Sequence, residues 1–275
     1  MTAKLLLGQP VADQIYADIK FKLTHLPRPV HIAAILIGDD MGSVTYLRMK
    51  EKRCAELGIG FTLVKLAQDI KTSKVESEIS KLNADEKITG VIVQLPLPKH
   101  LDQDYLLKQI NPKKDIDAFG YLNSSDAKNQ IVYPPTPTGM LKLCEFYDID
   151  LKNQKIVVIG DGLLVGLPLH RMLCDLGFGS MLINNSDAPQ SRKDIIEADV
   201  IFCGVGKADL ITPEMIKNGV VIIDAGYSKV SGQTRGDADP ECEKKASAIT
   251  PPVGGVGPLT VACLLLNAVK LVEIK

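Results

Sequence analysis

The sequence predicts an α/β protein of two domains built on mainly parallel sheets, and three observations carry that expectation. The 275 residues amount to nearly two domains at about 150 residues each. Short runs rich in Val and Ile alternate with stretches of helical periodicity along the chain. Several of those runs are continuously apolar, as in strands covered on both faces.

The elements follow in order. Val11, Ile15 and Ile19 share a helical stripe over residues 9–22. Residues 30–37 form a near-continuous apolar run closed by Gly38-Asp39-Asp40, which predicts a buried strand. A helix over 43–57 stops at Gly58, and a second strand follows over 59–66. Val75, Ile79 and Leu82 line one face of a helix over 72–82. Residues 90–95 make a third strand, closed by Pro96 and Pro98. This βαβαβ order predicts right-handed crossovers. Residues 112–138, rich in Asn, Ser, Asp and Pro, read as an interdomain linker. Beyond them come a strand over 155–159, a glycine-rich turn over 160–166 and a helix over 167–176. Three short strands at 180–184, 200–203 and 220–224 precede a last apolar helix over 260–274.

Composition narrows the function. The 32 Lys+Arg against 33 Asp+Glu give a formal charge of -1, without the basic excess of a nucleic-acid binder. There is no Trp, and aromatic residues are only 5%, which disfavours stacking on single strands. Apolar content of 45% excludes an acidic disordered chain. No two of the six cysteines lie within four residues and the four histidines form no HxxxH pair, so no metal site is expected. The N-terminus lacks the apolar run of a signal peptide, and no run reaches 18 apolar residues. The expectation is a cytoplasmic protein with no membrane contact.

Several stretches can carry chemistry. Gly160-x-Gly162-x-x-x-Gly166 between a strand and a helix is the context of a dinucleotide loop, where glycines admit a pyrophosphate to the helix N-terminus. The spacing departs by one residue from GxGxxG, and similar turns occur in proteins that bind nothing. Near the end of the next strand, Asn185 and Ser186 could bond a ribose in place of the usual acid. Tyr46 and Lys50 are i and i+4 on one helix face, with Ser43 a turn earlier. A desolvated Lys can move protons near neutral pH, although on the helix alone a surface Lys is the ordinary reading. Gln94 interrupts an apolar strand near its carboxyl end, where α/β sheets bind ligands. Asp115 and Asp117 flank Ile116 in a loop and read either as turn caps or as acceptors for a heterocycle's amino groups. Residues 250–260 hold three glycines and three prolines, a stiff connector whose backbone can line a ligand.

Taken together, these stretches resemble the bifunctional methylenetetrahydrofolate dehydrogenase/cyclohydrolase family over nearly the whole chain. The match rests on residues 37–50, on Gly90-Val-Ile-Val-Gln-Leu-Pro-Leu-Pro98, and on Lys114-Asp-Ile-Asp117. It continues in Pro135-Thr-Pro-Thr-Gly139, Val165-Gly-Leu-Pro168 and Gly254-Gly-Val-Gly-Pro-Leu-Thr260. The resemblance implies two domains around a cleft: a folate-binding catalytic domain over 1–137, and a Rossmann-like NAD(P)-binding domain over 138–259. It implies that the helix over 260–275 packs back on the first domain, and that the protein is a homodimer. It implies Lys50 as the proton-transfer group, Tyr46 as the ring that orients folate, Gln94 as the partner of Lys50, and Asp117 on the pterin. It further implies Gly254 and Pro258 as substrate contacts, and Gly160, Asp161, Gly162, Ser186 and Tyr227 as the cofactor contacts.

The implied chemistry is oxidation of 5,10-methylenetetrahydrofolate to the methenyl form, then hydrolysis to 10-formyltetrahydrofolate. NADP is the cofactor expected from the resemblance. The departures cluster on that side of the molecule. Asp161 stands where the family has an Arg, Asn184-Asn185-Ser186 replaces Cys-His-Ser, and Gly226-Tyr227-Ser228 replaces Gly-Ile-Asn. A carboxylate at 161 should repel a 2′-phosphate, so NAD is a second candidate. Two alternatives are a cyclohydrolase with weak or lost dehydrogenase activity, and a non-catalytic folate-binding paralogue.

Overall fold

The computed structural model describes residues 3–126, 130–184, 187 and 191–273. The chain opens with β1 (Lys4–Leu5) and α1 (Gln9–Leu23). Then come β2 (His31–Ile37), α2 (Met41–Leu57), β3 (Gly60–Leu66), α3 (Thr72–Ala84), β4 (Gly90–Val93) and α4 (Gln103–Lys108). A 3₁₀ turn at Phe119–Asn123 leads to α5 (Pro135–Phe146). The second run is β5 (Ile156–Ile159), α6 (Gly166–Asp175), β6 (Ser180–Ile183), α7 (Arg192–Ile196), β7 (Val200–Cys203) and β8 (Val221–Asp224). A hairpin of β9 (Ser228–Val230) and β10 (Gln233–Arg235), β11 (Ala248–Ile249) and α8 (Gly257–Glu273) complete it.

These elements form two compact units. One holds the described residues of 15–120, 131–133 and 264–275; the other holds those of 1–14, 121–130 and 134–263. Both α1 and α8 pass from one unit to the other within a single helix.

The unit around residues 15–120 has a three-stranded sheet, order β3-β2-β4, all parallel. Six of the seven β2 residues are buried, as its uninterrupted apolar run requires. Helix α2 is fixed at both ends. The Asp40 carboxylate accepts the Ser43 N–H at 2.8 Å, and Gly58 closes the helix in the left-handed region at φ 73°. The strand β4 stops at Val93, so Gln94 stands just past its carboxyl end, with its N–H donating to the Ile35 carbonyl at 2.9 Å.

The other unit has a six-stranded sheet, order β1-β11-β8-β7-β5-β6, parallel throughout. Strands β5, β7 and β8 are central and almost wholly buried. The chain direction places the Gly160 turn, the 204–207 loop and the 225–227 loop at the carboxyl ends of those strands.

The structure departs from the sequence reading in places. The segment read as a linker over 112–138 runs into α5, which starts on Pro135, a residue suited to the first helical turn because that N–H has no helical acceptor. The last helix begins at Gly257 rather than at 260. Strands β1, β9, β10 and β11 and helices α4 and α7 have no counterpart in the sequence reading.

Candidate active site

The first three turns of α2 and the end of β4 assemble one cluster. Lys50 is 4% exposed, and its ammonium donates to Gln94 Oε1 at 3.1 Å. The Gln94 amide is turned the right way for this, because its Nε2 donates to the Leu95 carbonyl at 2.7 Å. Lys50 Nζ also lies 4.8 Å from the centroid of the Tyr46 ring, a cation–π distance. Ser43, buried one turn earlier, donates to the same Leu95 carbonyl at 3.4 Å. Burial pushes the Lys50 ammonium below the usual lysine range, against the pull of the Asp117 charge in the other direction. The cluster thus offers an amine that is unusually easy to deprotonate, held by one amide and faced by one ring.

Asp117 is drawn into the same electrostatic group. Burial raises its carboxyl to about 6, the Lys50 charge lowers it, and Asp115 raises it further. Asp115 is itself buried. Its Oδ2 accepts the Gly120 N–H at 3.0 Å, while its Oδ1 has no hydrogen-bond partner among the described residues. Between the two acids, the Ile116 carbonyl accepts from Asn267 Nδ2 at 2.9 Å, and the same Nδ2 donates to the Tyr133 carbonyl at 2.8 Å. Asn267 is 4% exposed and stands in an otherwise apolar stretch of α8. Sequence reasoning passed over it, although a polar residue inside an apolar helical run is the same signal that singled out Gln94. It also passed over Lys114, whose buried ammonium closes the end of α3 by donating to the Leu82 and Asp85 carbonyls at 2.9 and 2.7 Å.

The glycine-rich turn in the other unit is built from backbone. Gly160 has φ 102°, in the region glycine alone enters freely, and a Cβ at Gly166 would overlap the Gly160 carbonyl oxygen. These two glycines let α6 start directly against the end of β5. Gly162 is different: nothing lies within 4 Å of where its Cβ would be, so the fold itself does not require a glycine there. Asp161 and Gly162 are both exposed. The turn therefore supplies the close backbone approach and the helix start that a pyrophosphate requires. A dinucleotide fits it, with Asp161 as the exposed acid beside that approach.

The remaining site residues distribute as follows. Tyr46, Lys50, Gln94 and Asp117 belong to the unit around 15–120; Gly160, Asp161, Gly162, Tyr227, Gly254 and Pro258 belong to the other. Tyr227 follows β8 and is 55% exposed. Gly254 has φ 81° and its carbonyl accepts the Gly8 N–H at 2.8 Å, while Pro258 is half-buried in the first turn of α8. Ser186 and Asn185 lie outside the described residues.

Comparison with known proteins agrees with this reading. The family model described as the tetrahydrofolate dehydrogenase/cyclohydrolase catalytic domain matches residues 6–117, and the one described as its NAD(P)-binding domain matches 134–275. A bifunctional protein FolD from Hydrogenobaculum sp. is 39% identical over 97% of this chain and 97% of its own. The crystal structure of the bifunctional FolD methylenetetrahydrofolate dehydrogenase/cyclohydrolase from Campylobacter jejuni is 36% identical, covers 99% of each chain and superposes with a TM-score of 0.91. That of the Trypanosoma brucei enzyme, complexed with NADP cofactor and inhibitor, is 28% identical at a TM-score of 0.91, covering 100% of this chain and 98% of its own. No helix among the described residues is long and apolar enough to cross a membrane. The chain belongs to the tetrahydrofolate dehydrogenase/cyclohydrolase family.

Proposed function

We propose that the chain oxidises 5,10-methylenetetrahydrofolate to 5,10-methenyltetrahydrofolate and hydrolyses that cation to 10-formyltetrahydrofolate, with Lys50 as the proton-transfer group. The observation that carries this is the buried Lys50–Gln94 hydrogen bond, faced by Tyr46 and by the charge of Asp117. When bound, the nicotinamide of the dinucleotide would take the hydride from the methylene bridge. The chain's own residues do the rest. Tyr46 offers a flat face to the folate ring. Asp117 in its ionised form accepts from the amino group of the pterin. Water adds to the methenyl carbon while Lys50, in the amine form that burial favours, takes a proton at Nζ. Lys50 then delivers a proton to the departing ring nitrogen, and the reaction as a whole releases one proton. Gln94 keeps Nζ in place through both transfers. We place folate recognition in the unit around 15–120 and dinucleotide recognition in the other. The Asn267 bonds to Ile116 and Tyr133 support the assignment of the second half of α8 to the folate side.

The exposed Asp161 supports NAD over NADP as the preferred cofactor, because a carboxylate beside a 2′-phosphate is repulsive and an NAD ribose can accept the same group as a hydrogen-bond partner. The family resemblance also implies a homodimer in the cytoplasm, which sedimentation of the purified chain and imaging of a tagged one would check. An absorbance assay with methylenetetrahydrofolate and each dinucleotide tests the whole reading. It should show oxidation with NAD exceeding that with NADP. The methenyl species should accumulate in Lys50→Met and not in wild type. A wild type that catalyses neither step overturns the reading.

A further inference from the structure

Two buried carboxylates sit behind the proposed dinucleotide turn, and the chemistry above uses neither. Asp237 is fully buried. Its Oδ2 accepts the Val205 N–H at 2.6 Å, and its Oδ1 accepts the N–H groups of Gly206 and Lys207 at 2.9 and 2.8 Å. Three successive amides of the loop after β7 thus close on one side chain, in the way a backbone nest closes on an anion. Asp224, at the end of β8, accepts the Gly226 N–H on Oδ1 at 2.6 Å and the Ala238 N–H on Oδ2 at 2.9 Å. Its own backbone is tied to the end of β11, since Thr250 Oγ1 accepts the Asp224 N–H at 2.7 Å and donates to the Asp224 carbonyl at 3.0 Å. A Cβ at Gly226 would overlap the Asp237 carboxylate, so the two loops and the two acids interlock.

The contacts continue to the turn itself. A Cβ at Gly160 would stand 2.8 Å from a Val205 methyl, so Val205 packs directly on Gly160. Gly204 abuts the Val165 side chain, the last residue before α6. The path runs from the Asp237 carboxylate through the Val205 amide to the backbone of Gly160. A shorter path runs from Asp224 through Gly226 to the adjacent Tyr227. All carboxylate oxygens of the pair already accept backbone N–H groups, so the pair is a structural clamp on loops at three strand ends and not a spare ligand set.

We propose that Asp237 and Asp224 are positioning residues of the dinucleotide site, holding the 204–207 and 225–227 loops in the shape that binds the cofactor. This rests on the dinucleotide reading made above. The titratable groups that face Asp224 are Asp237, Cys203 on β7, which hydrogen-bonds it, and Cys242 in the 3₁₀ turn at Pro240–Lys244. Burial and the Asp237 charge raise the Asp224 carboxyl to about 7.

The test uses the full chain, titrated calorimetrically with NAD, together with steady-state rates of both reactions. A wild type that binds neither NAD nor NADP overturns the dinucleotide reading and this proposal with it. Asp237→Asn keeps the size but presents an NH₂ to a backbone N–H. It should raise the NAD dissociation constant about tenfold or more while methenyl hydrolysis stays within about twofold. Asp224→Asn, which turns an NH₂ towards one of the backbone N–H groups of Gly226 and Ala238, should raise the NAD dissociation constant in the same way. Folded Asp237→Asn with wild-type NAD affinity, or with equal losses in both reactions, overturns the role of Asp237. Folded Asp224→Asn with wild-type NAD affinity overturns that of Asp224; if the Asn variants do not fold, Asp237→Glu and Asp224→Glu, which shift the accepting carboxylates, should weaken NAD binding and spare hydrolysis, and unchanged affinity in them overturns both roles.

Discussion

Lys50 is 4% exposed and its proposed role lies in a side chain, whereas Asp161 and Gly162 are exposed on a turn whose proposed role lies in its backbone. In the first region exclusion of water lowers the proton affinity of the Lys50 amine and raises that of the Asp117 carboxylate. The second is marked by what it leaves open. Gly160 and Gly166 are demanded by packing, while Gly162 leaves space unfilled. The proposed proton-transfer site is thus written in residue types, and the proposed pyrophosphate site largely in missing side chains.

Four substitutions and a control sharpen that contrast. Lys50→Met should lower methenyl hydrolysis about 10³-fold, in the range of a lost general acid–base group, with folate affinity changed only a few-fold in a binding assay. Gly166→Ala should destabilise the chain by about 2 kcal/mol or more, because the clash is with the Gly160 carbonyl and not with a flexible side chain. Thermal unfolding measures it, and a neutral result would break the claim that packing demands this glycine. Asp161→Arg should shift the NADP-to-NAD ratio of kcat/KM about tenfold towards NADP, as a repulsion is replaced by a charge-assisted bond.

The pH dependence of Asp117 gives a smaller effect. Its folded carboxyl titrates at about 6, above the unfolded reference of 3.8. Its contribution to stability is therefore full below the unfolded value and is lost as pH rises through 6. Between about pH 5 and pH 7, wild type should lose roughly 1 kcal/mol relative to Asp117→Asn in paired unfolding curves. Over the same range Asp117 ionises, so its proposed role predicts that pterin binding strengthens while the fold weakens slightly. Lys52→Ala is the control. Its side chain is 77% exposed two residues from Lys50, and the change should stay within about 0.5 kcal/mol with both activities intact.

Much of this was legible in the sequence. The buried strands β2, β5, β7 and β8 read as apolar runs because both of their faces are covered. Gln94 stood out as an amide in such a run, and the structure puts it on Lys50. Lys50 itself did not stand out by pattern, since helical spacing cannot tell an inward lysine from one that snorkels. The two-residue strands β1 and β11 were invisible because Lys4–Leu5 pairs with Ala248–Ile249, more than 240 residues away. Asp224 reads only as the last residue of the strand over 220–224, and no local pattern marks Asp237. Their burial arises from interlocking backbones that no local window contains.

The passage of α1 and α8 from one unit to the other bears on how the chain is made. During synthesis, β1 waits for Ala248–Ile249 before it can join its sheet, and the Ile116 and Tyr133 carbonyls wait for Asn267. Neither unit is a contiguous stretch that a ribosome could release finished while the rest is still being translated. Both should acquire full protease resistance together, when the last helix emerges. Cutting the gene between the two family-model matches should yield two incomplete pieces rather than two domains.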